Sequence, residues 1–247
     1  MKKIATTIII IAIVMSFTMY HNKQHETQTK PSISKIELIE INGSRKNDTM
    51  ASLIAPYKAL KDSAMNIIVG QSIETMEVAL PESSLTRLIA DILLTEARKT
   101  DPNVNMAITN IGGIRRPLFQ GNITVGDVYE ILPFDNSLLI LEYKGSDIIA
   151  IANAIAAKGG ESISGITLDI QNHIATNIHI NNQPIDSTKT YKVVTTDYLS
   201  WGNDQLAPLA NYINSTPLNL MMRDAMLNYL KDNDTIYAPT TKRIYLK

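Results

Sequence analysis

The sequence contains no cysteine among its 247 residues. The chain therefore forms no disulfide and no thiolate metal site, has no thiol nucleophile, and lacks the residue that a lipoprotein-type signal acylates. It also lacks an excess of charge of either sign, with 23 Lys and Arg against 24 Asp and Glu. Because a protein that binds a nucleic-acid backbone needs basic residues to neutralise phosphates, the composition disfavours nucleic acid as a partner.

Histidine is scarce, with four residues, of which His173 and His179 fall in a predicted pair of strands. A two-metal phosphoesterase centre needs several converging His, Asp and Asn ligands, and no D-x-H, N-H-E or G-H-x-H arrangement occurs. Neither a G-x-S-x-G elbow nor a Walker-type loop is present. We expect no metal or cofactor on this chain. Ser–His–Asp catalysis is disfavoured because neither histidine has local support for it.

The first twenty residues combine a basic start with an apolar stretch from Ile4 to Tyr20. This pattern predicts either an export signal or a retained N-terminal membrane anchor over residues 1–20, and no small-x-small cleavage site decides between them. Residues 21–33 are polar and contain Pro31, which is typical of a linker. Residues 34–247 are then expected to form a single domain outside the cytoplasm.

Hydrophobic periodicity and turn residues predict how that domain is built. Helices are expected over residues 53–66, 81–99 (capped by Ser83 or Ser84), 123–133, 146–160 and 217–233. Strands are expected over residues 34–43, 67–72, 104–109, 137–145, 164–170, 175–185, 191–199 and 242–247. Since some strands follow each other through short turns, the pattern favours an α+β fold with mixed sheets and packed helices.

The stretch ITNIGGIRRPLF (108–119) places Gly112 and Gly113 between a predicted strand and two arginines. Glycine tolerates positive φ and lets a ligand or another backbone approach closely. Arginine grips a phosphate or a carboxylate through two parallel hydrogen bonds. The stretch is typical either of a ligand-binding loop or of a tight turn with solvated arginines.

Two further loops carry scarce aromatic residues. LPFDN (132–136) contains Phe134, one of three phenylalanines, and Asn136. TTDYLSWGNDQL (195–206) contains Tyr198, the only tryptophan and Asp204. Such rings can stack on a flat ligand, with Asn136 forming a hydrogen bond to the edge of that ligand. Alternatively, both have structural roles: Phe134 covers the core, and Tyr198 ends a strand.

Taken in order, the helix TRLIADIL, the stretch NIGGIR, the LPFDN loop and a strand ending in a Gly-x-Asp loop resemble a known family. They are similar to the C-terminal domain of the 5′-nucleotidases and UDP-sugar hydrolases, most densely between Ser83 and Gln205. In that family a separate N-terminal calcineurin-like domain holds two metals and hydrolyses the substrate, while the C-terminal domain binds the nucleotide. The resemblance implies an α+β nucleotide-binding domain standing without the catalytic half.

Carried over residue by residue, the resemblance implies a set of substrate-binding positions. It comprises Asn110, Gly112, Gly113, Arg115, Phe134, Asn136, Tyr198 and Asp204. In the family the arginine contacts the substrate, two aromatic rings sandwich the base with a polar residue nearby, and the acidic residue bonds the substrate. Tyr198 stands where a second Phe is usual, and Arg116 receives no role.

The sequence also departs from the family pattern. Ile111 replaces the first glycine of the N-G-G-G-I-R stretch, and Asn203 and Gln205 replace glycines beside the acidic residue. Ala79 and Ser84 stand where the family often has further polar and basic residues, so one contact to an anion is expected to be missing. This affects phosphate affinity more than base stacking.

These observations predict an exported half of a split 5′-nucleotidase that recognises a nucleotide or nucleoside. The divalent metals would lie on a separate calcineurin-like metallophosphoesterase chain. The alternative is a non-catalytic nucleotide-binding or scaffold module that kept the fold after losing the catalytic half. Under either hypothesis no nucleic-acid partner is expected, and the N-terminus is expected to contact a membrane if it is retained.

Overall fold

A computed structural model of the protein describes residues 48–247. The predicted signal or anchor (1–20), the linker (21–33) and the strand at 34–43 lie outside the described residues. All elements that form the site belong to one compact unit, Ser52–Lys247. None of the helices in the described part combines the length and the apolar character that a membrane crossing requires.

The helices follow the apolar periods of the sequence. They are α1 (Asp48–Met65), α2 (Ser84–Thr100), α3 (Val125–Ile131), α4 (Gly145–Ala157), α5 (Asp197–Ser200) and α6 (Met222–Asp232), with short 3-10 helices at Ile111–Gly113 and Ala207–Ala210. Helix α2 starts where predicted, because the Ser83 side chain accepts a hydrogen bond from the Thr86 N–H and the Thr86 hydroxyl accepts one from the Ser83 backbone. Its buried stripe packs on α6 and on three strands of the five-stranded sheet.

The strands are short and form three sheets within residues 48–247. They are β1 (Ile68–Ser72), β2 (Met106–Thr109), β3 (Gly121–Thr124), β4 (Ser137–Lys144), β5 (Ser162–Ser164), β6 (Ile166–Gln171), β7 (Ile174–Ile180), β8 (Gln183–Pro184), β9 (Thr190–Thr196), β10 (Asn214–Met221), β11 (Thr235–Ile236) and β12 (Ile244–Leu246). The sheet orders are β11-β1-β3, β10-β4-β9-β2-β5 and β12-β6-β7-β8. Parallel and antiparallel pairs occur in all three sheets, which confirms the α+β class with mixed sheets.

Both faces of the five-stranded sheet are buried at β2 and along most of β9, and successive residues of these strands point to opposite sides. Ala107 and Val194 join one hydrophobic cluster together with α2, α3 and α6. Met106 and Val193 join a second cluster with α4 and β6. The sheet is therefore rigidly sandwiched, and the loops at its edges are presented on a fixed frame.

Several predicted boundaries were wrong, and three of the errors have a clear structural cause. Residues 217–221 are strand, not helix, because residues from Asn214 to Pro217 pair antiparallel with β4, and α6 starts only at Met222. Residues 123–124 end β3 rather than start a helix, since the Thr124 side chain caps α3. Residues 197–199 form the helical turn α5 instead of extending β9, because the Thr196 hydroxyl accepts from the Leu199 N–H.

Candidate functional site

A cavity of about 270 Å³ lies beside the ends of three adjacent strands of the five-stranded sheet, β4, β9 and β2. Strands β2 and β9 run parallel and end there, and β4, antiparallel to β9, begins there. The loops at these three points line the cavity with Asn110, Gly112, Phe134, Asn136, Tyr198 and Asp204. The structure thus brings together six of the eight residues expected from the sequence, whereas Gly113 and Arg115 do not line the cavity.

The first wall is the 3-10 turn Ile111–Gly113 that follows β2. Neither Gly112 nor Gly113 has the positive φ that the sequence suggested, so their backbone conformation does not demand glycine. A Cβ on Gly113 would lie 3.0 Å from Oδ1 of Asn110, whereas the nearest atom to a Cβ on Gly112 is 3.8 Å away. Gly113 therefore permits close packing on Asn110. Gly112 has no side chain to occupy space in the cavity that it lines.

Asn110 itself is almost fully buried, with 8% of its surface exposed. Its Oδ1 atom is buried and accepts no hydrogen bond from the described residues. A buried acceptor without a donor costs free energy and calls for an explanation. Because Asn110 lines the cavity, its side-chain amide is a candidate hydrogen-bond partner for a ligand.

Neither of the two arginines beyond the turn lines the cavity. Arg115 is exposed, and its Nη1 donates to the Gly112 carbonyl oxygen at 3.1 Å. Arg116 pairs with Glu130 and Asp127, and its guanidinium lies 5.2 Å from the centre of the Phe119 ring. Arg116 is thus occupied structurally, while Arg115 would have to release the Gly112 carbonyl to reach a ligand.

The aromatic residues of the cavity are half-exposed, Phe134 at 48% and Tyr198 at 43%. Phe134 belongs to neither hydrophobic cluster of the described residues, which contradicts the alternative that it covers the core. Its loop is held by the Met222 N–H, which donates to the Asn136 carbonyl oxygen at 2.9 Å. A large apolar ring kept at the surface by a fixed loop is available for contact with a ligand.

The turn that presents Tyr198 is also fixed. Oδ1 of Asp197 accepts from the Tyr198 N–H at 2.8 Å and from the Ser137 N–H at 3.2 Å, which joins the start of α5 to the start of β4. The Asn203 side chain donates to the Tyr198 carbonyl oxygen at 2.8 Å. The Asp197 carboxylate therefore links the turn that carries Tyr198 to the start of β4, which follows the loop that carries Phe134.

Asp204 also lines the cavity and has φ of +57°. Its Oδ2 accepts a hydrogen bond from Lys158 Nζ at 3.0 Å, and the same ammonium lies 2.5 Å from Oε2 of Glu161. The sequence did not reveal this trio, although a lysine at a helix end followed by Gly-Gly-Glu was a visible signal. Glu161 is fully buried and also accepts from the Ile111 N–H at 2.5 Å.

The electrostatics of the trio follow from its burial. Burial alone would lower the pKa of Lys158, but hydrogen bonds to Glu161 and Asp204 outweigh it and raise that pKa above 10.5. Burial raises the pKa of the Glu161 carboxyl above 4.5, although Lys158 and two backbone N–H groups oppose the change. Asp204 is the only charged side chain among the residues that line the cavity, so the lining presents no cation to a phosphate.

A larger cavity of about 390 Å³ lies beside α2, β6 and β7. Its charged groups are engaged within the protein: Arg243 donates to Asp91 Oδ2 at 2.6 Å, Ser164 donates to the other oxygen of Asp91, and Arg98 donates to the Val104 carbonyl oxygen at 2.9 Å. Arg243 also donates to two backbone carbonyls. Because these donors and acceptors are already satisfied, the smaller cavity is the better candidate for a ligand.

Within residues 48–247 no group of three or more His, Asp or Glu side chains is placed to hold a metal ion.

Known proteins share this arrangement of elements. The family model for the C-terminal domain of 5′-nucleotidases matches residues 64–211. A 5′-nucleotidase of Vibrio parahaemolyticus is 24% identical over 210 residues, which are 79% of this chain and 37% of that protein. Endonuclease YhcR of Bacillus subtilis is 37% identical over 148 residues, 56% of this chain and 12% of that protein.

The solved structure of a 5′-nucleotidase precursor from Thermus thermophilus superposes with a TM-score of 0.70 at 25% identity. The superposition covers 81% of this chain and 43% of that one. The chain spans about 37–41% of the length of the curated 5′-nucleotidases of Vibrio that it matches. From the match over residues 64–211, together with the shared fold, the chain belongs to the family of 5′-nucleotidase C-terminal domains.

Proposed function

We propose that this chain binds a nucleotide or nucleoside in the cavity between Phe134 and Tyr198. The observation that carries the proposal is that two half-exposed aromatic residues line one small cavity together with two amide side chains and one carboxylate. An aromatic face stacks on any base, and such contacts are worth about 1–3 kcal/mol per base. Asn110, Asn136 and Asp204 supply hydrogen-bond partners for base edges or ribose hydroxyls.

In this proposal the chain is the recognition half of a split 5′-nucleotidase, exported from the cytoplasm through the pattern at residues 1–20. A separate calcineurin-like metallophosphoesterase chain would hold the divalent metals and generate the attacking water. This chain would contribute binding and orientation of the substrate, which lower the barrier by holding the reacting phosphate near the metals. Its membership of the family of 5′-nucleotidase C-terminal domains supports a role in substrate recognition.

One observation favours a second candidate, a nucleoside-binding module without any catalytic partner. The lining of the cavity carries no cation, and Arg115 bonds to the Gly112 carbonyl instead of facing the cavity. A site of this kind holds the base and sugar but gives a phosphate nothing to bind. Both candidates predict that adenosine binds this chain at least as tightly as AMP.

Calorimetric titration of the full chain with adenosine, AMP and UDP-glucose tests the binding. Phe134→Ala and Tyr198→Ala are each expected to weaken adenosine binding by about tenfold or more. Tyr237→Ala, which removes a 63% exposed ring that does not line the cavity, is the matched control. Unchanged adenosine binding in both cavity variants would contradict the proposal.

A short single-stranded oligonucleotide is included because one relative is named an endonuclease. Saturable binding of this oligonucleotide would contradict the expected absence of a nucleic-acid partner.

Phosphate release from AMP then separates the two candidates. The full chain is assayed with divalent metal, alone and mixed with a metallophosphoesterase encoded by a neighbouring gene. Release in the mixture only supports the split enzyme, and binding without release in any mixture favours the second candidate. Release by the lone chain contradicts both.

A further inference from the structure

Two residues behind the cavity connect walls that come from distant parts of the chain. Glu161 accepts from the backbone N–H of Ile111, at the start of the turn that carries Gly112. Lys158 binds Oδ2 of Asp204 at 3.0 Å and Oε2 of Glu161 at 2.5 Å. Neither lines the cavity, so each acts on a ligand only through the residues it holds.

Burial makes this connection stronger than a surface ion pair. Glu161 has no exposed surface and the Lys158 side chain has 14%. Removing one partner of a buried charge network leaves an uncompensated charge, whereas exposed pairs contribute little. A helix end can be terminated by glycine alone, and Gly159 and Gly160 with positive φ already do so at the end of α4. The ion pairs are therefore not needed to stop the helix.

Lys158 anchors the side chain of Asp204 in its loop. Asp204 and Gln205 both have positive φ, which is unfavourable for residues other than glycine. Within residues 48–247, Lys158 is the side chain that bonds the Asp204 carboxylate, and it occupies one of the two oxygens. The other oxygen, Oδ1, stays available to accept a hydrogen bond from a ligand.

We infer that Lys158 and Glu161 are positioning residues that preorganise the cavity. Glu161 fixes the turn that carries Gly112, and Lys158 fixes the Asp204 carboxylate and offsets its charge. For its effect on binding the inference rests on the proposed function, but its effect on the two loops can be measured without a ligand. Preorganised walls raise affinity because the free protein has less conformational freedom to lose on binding.

The test uses the full chain and adenosine as the probe. Lys158→Met alone leaves Glu161 buried without its cation, so the decisive variant is Lys158→Met/Glu161→Gln, which removes both charges and keeps an acceptor for the Ile111 N–H. Lys158→Arg retains the charge and is the conservative rescue. Lys189→Met is the matched control, because Lys189 forms a comparable i,i+3 pair with Asp186 but is 71% exposed.

Three readouts separate positioning from a general loss of stability. Trp201, the only tryptophan and 80% exposed, lies in the same loop as Asp204, so its fluorescence anisotropy reports the motion of that loop. Exchange of the Ile111 amide hydrogen reports the turn. Adenosine affinity is measured in the parent and in Asp204→Asn, since a residue that acts through Asp204 loses its effect when Asp204 is altered.

We expect the double variant to bind adenosine about tenfold more weakly with lower Trp201 anisotropy, and its effect on affinity to vanish in the Asp204→Asn background. Lys158→Arg is expected to restore most of the affinity, and Lys189→Met to change nothing. Parental affinity and anisotropy in the double variant would overturn the inference, as would an equal loss in the Asp204→Asn background. If the parent binds no adenosine, the proposed function fails, and the inference stands or falls on whether the double variant lowers Trp201 anisotropy, since Glu161→Gln keeps the acceptor for the Ile111 N–H.

Discussion

Nη2 of Arg223 donates to Oδ1 of Asp135 at 2.6 Å, which joins the first turn of α6 to the loop that carries Phe134 and Asn136. Arg223 is 7% exposed, its Nη1 donates to the Leu132 carbonyl oxygen, and its guanidinium lies 4.1 Å from the centre of the Tyr129 ring. A residue far along the chain thus fixes one aromatic wall of the cavity. No motif in the sequence marked this arginine.

Arg223→Met is expected to lower the free energy of unfolding by about 1–3 kcal/mol, because it removes a buried charged hydrogen bond and a cation–π contact. Asp135→Asn should cost less than about 1 kcal/mol, since the Asp135 side chain is 75% exposed and the amide keeps an acceptor. Urea unfolding of the full chain measures both. Equal losses in the two variants would contradict this view of Arg223. Lys189→Met, which breaks an exposed pair with Asp186, serves as the control.

Tyr198 stands where the family usually has phenylalanine, so its ring face rather than its hydroxyl is expected to matter. Tyr198→Phe should keep adenosine affinity within about threefold of the parent, whereas Tyr198→Ala should lose the stacking contribution of about 1–3 kcal/mol. Calorimetry on the parent and both variants shows whether the ring face or the hydroxyl of Tyr198 makes the contact. If the Phe variant loses as much affinity as the Ala variant, the hydroxyl is the contact and the stacking arrangement is wrong.

The sequence predicted the class of the fold and most elements because its signals are local. The capped helix α2 and the buried strand β2 follow from residue order alone. It failed at residues 217–221, where apolar residues Leu218 and Leu220 suit either period and pairing with β4 decided for a strand. Pairing with a distant strand is not visible in a local pattern.

The lining of the cavity was predictable only because several weak motifs occurred in a known order. That order correctly grouped Phe134 with Tyr198 and Asp204, which lie far apart in the chain. It placed Arg115 at the cavity, whereas the structure turns its guanidinium to the Gly112 carbonyl. It could not show Lys158, Glu161 or Arg223, since their roles depend on contacts between elements and not on spacing.

Gln205 occupies a left-handed conformation, with φ of +62°, at a position where the family has glycine. Relief of that strain outweighs the larger backbone entropy that glycine loses on folding, so Gln205→Gly is expected to raise the free energy of unfolding by about 0.5 kcal/mol. Asn203 does not have positive φ and its side chain bonds the Tyr198 carbonyl, so Asn203→Gly should instead destabilise. Urea unfolding of the two variants should give opposite signs, and a loss of stability in Gln205→Gly would show that the side chain of Gln205 makes a compensating contact.

Asp127 couples the start of α3 to acid stability. Its burial would raise its pKa, but hydrogen bonds from the Thr124 hydroxyl and backbone N–H, together with nearby Arg116, outweigh this and hold the pKa below 3.8. A carboxyl whose pKa is lower in the folded state stabilises the protein above the unfolded-state pKa and loses that contribution as the pH falls through the folded-state value.

Asp127→Asn is therefore expected to lower the free energy of unfolding at neutral pH, and the difference from the parent should shrink as the pH falls from about 5 to about 2. Urea unfolding of the parent and the variant at a series of pH values measures this difference. Asp234→Asn, at an exposed position between α6 and β11, is the control. Its free energy of unfolding should change with pH nearly as that of the parent does. A gap between parent and Asp127→Asn that stays constant down to pH about 2 would mean that Asp127 acts through packing or hydrogen-bond geometry and not through its charge.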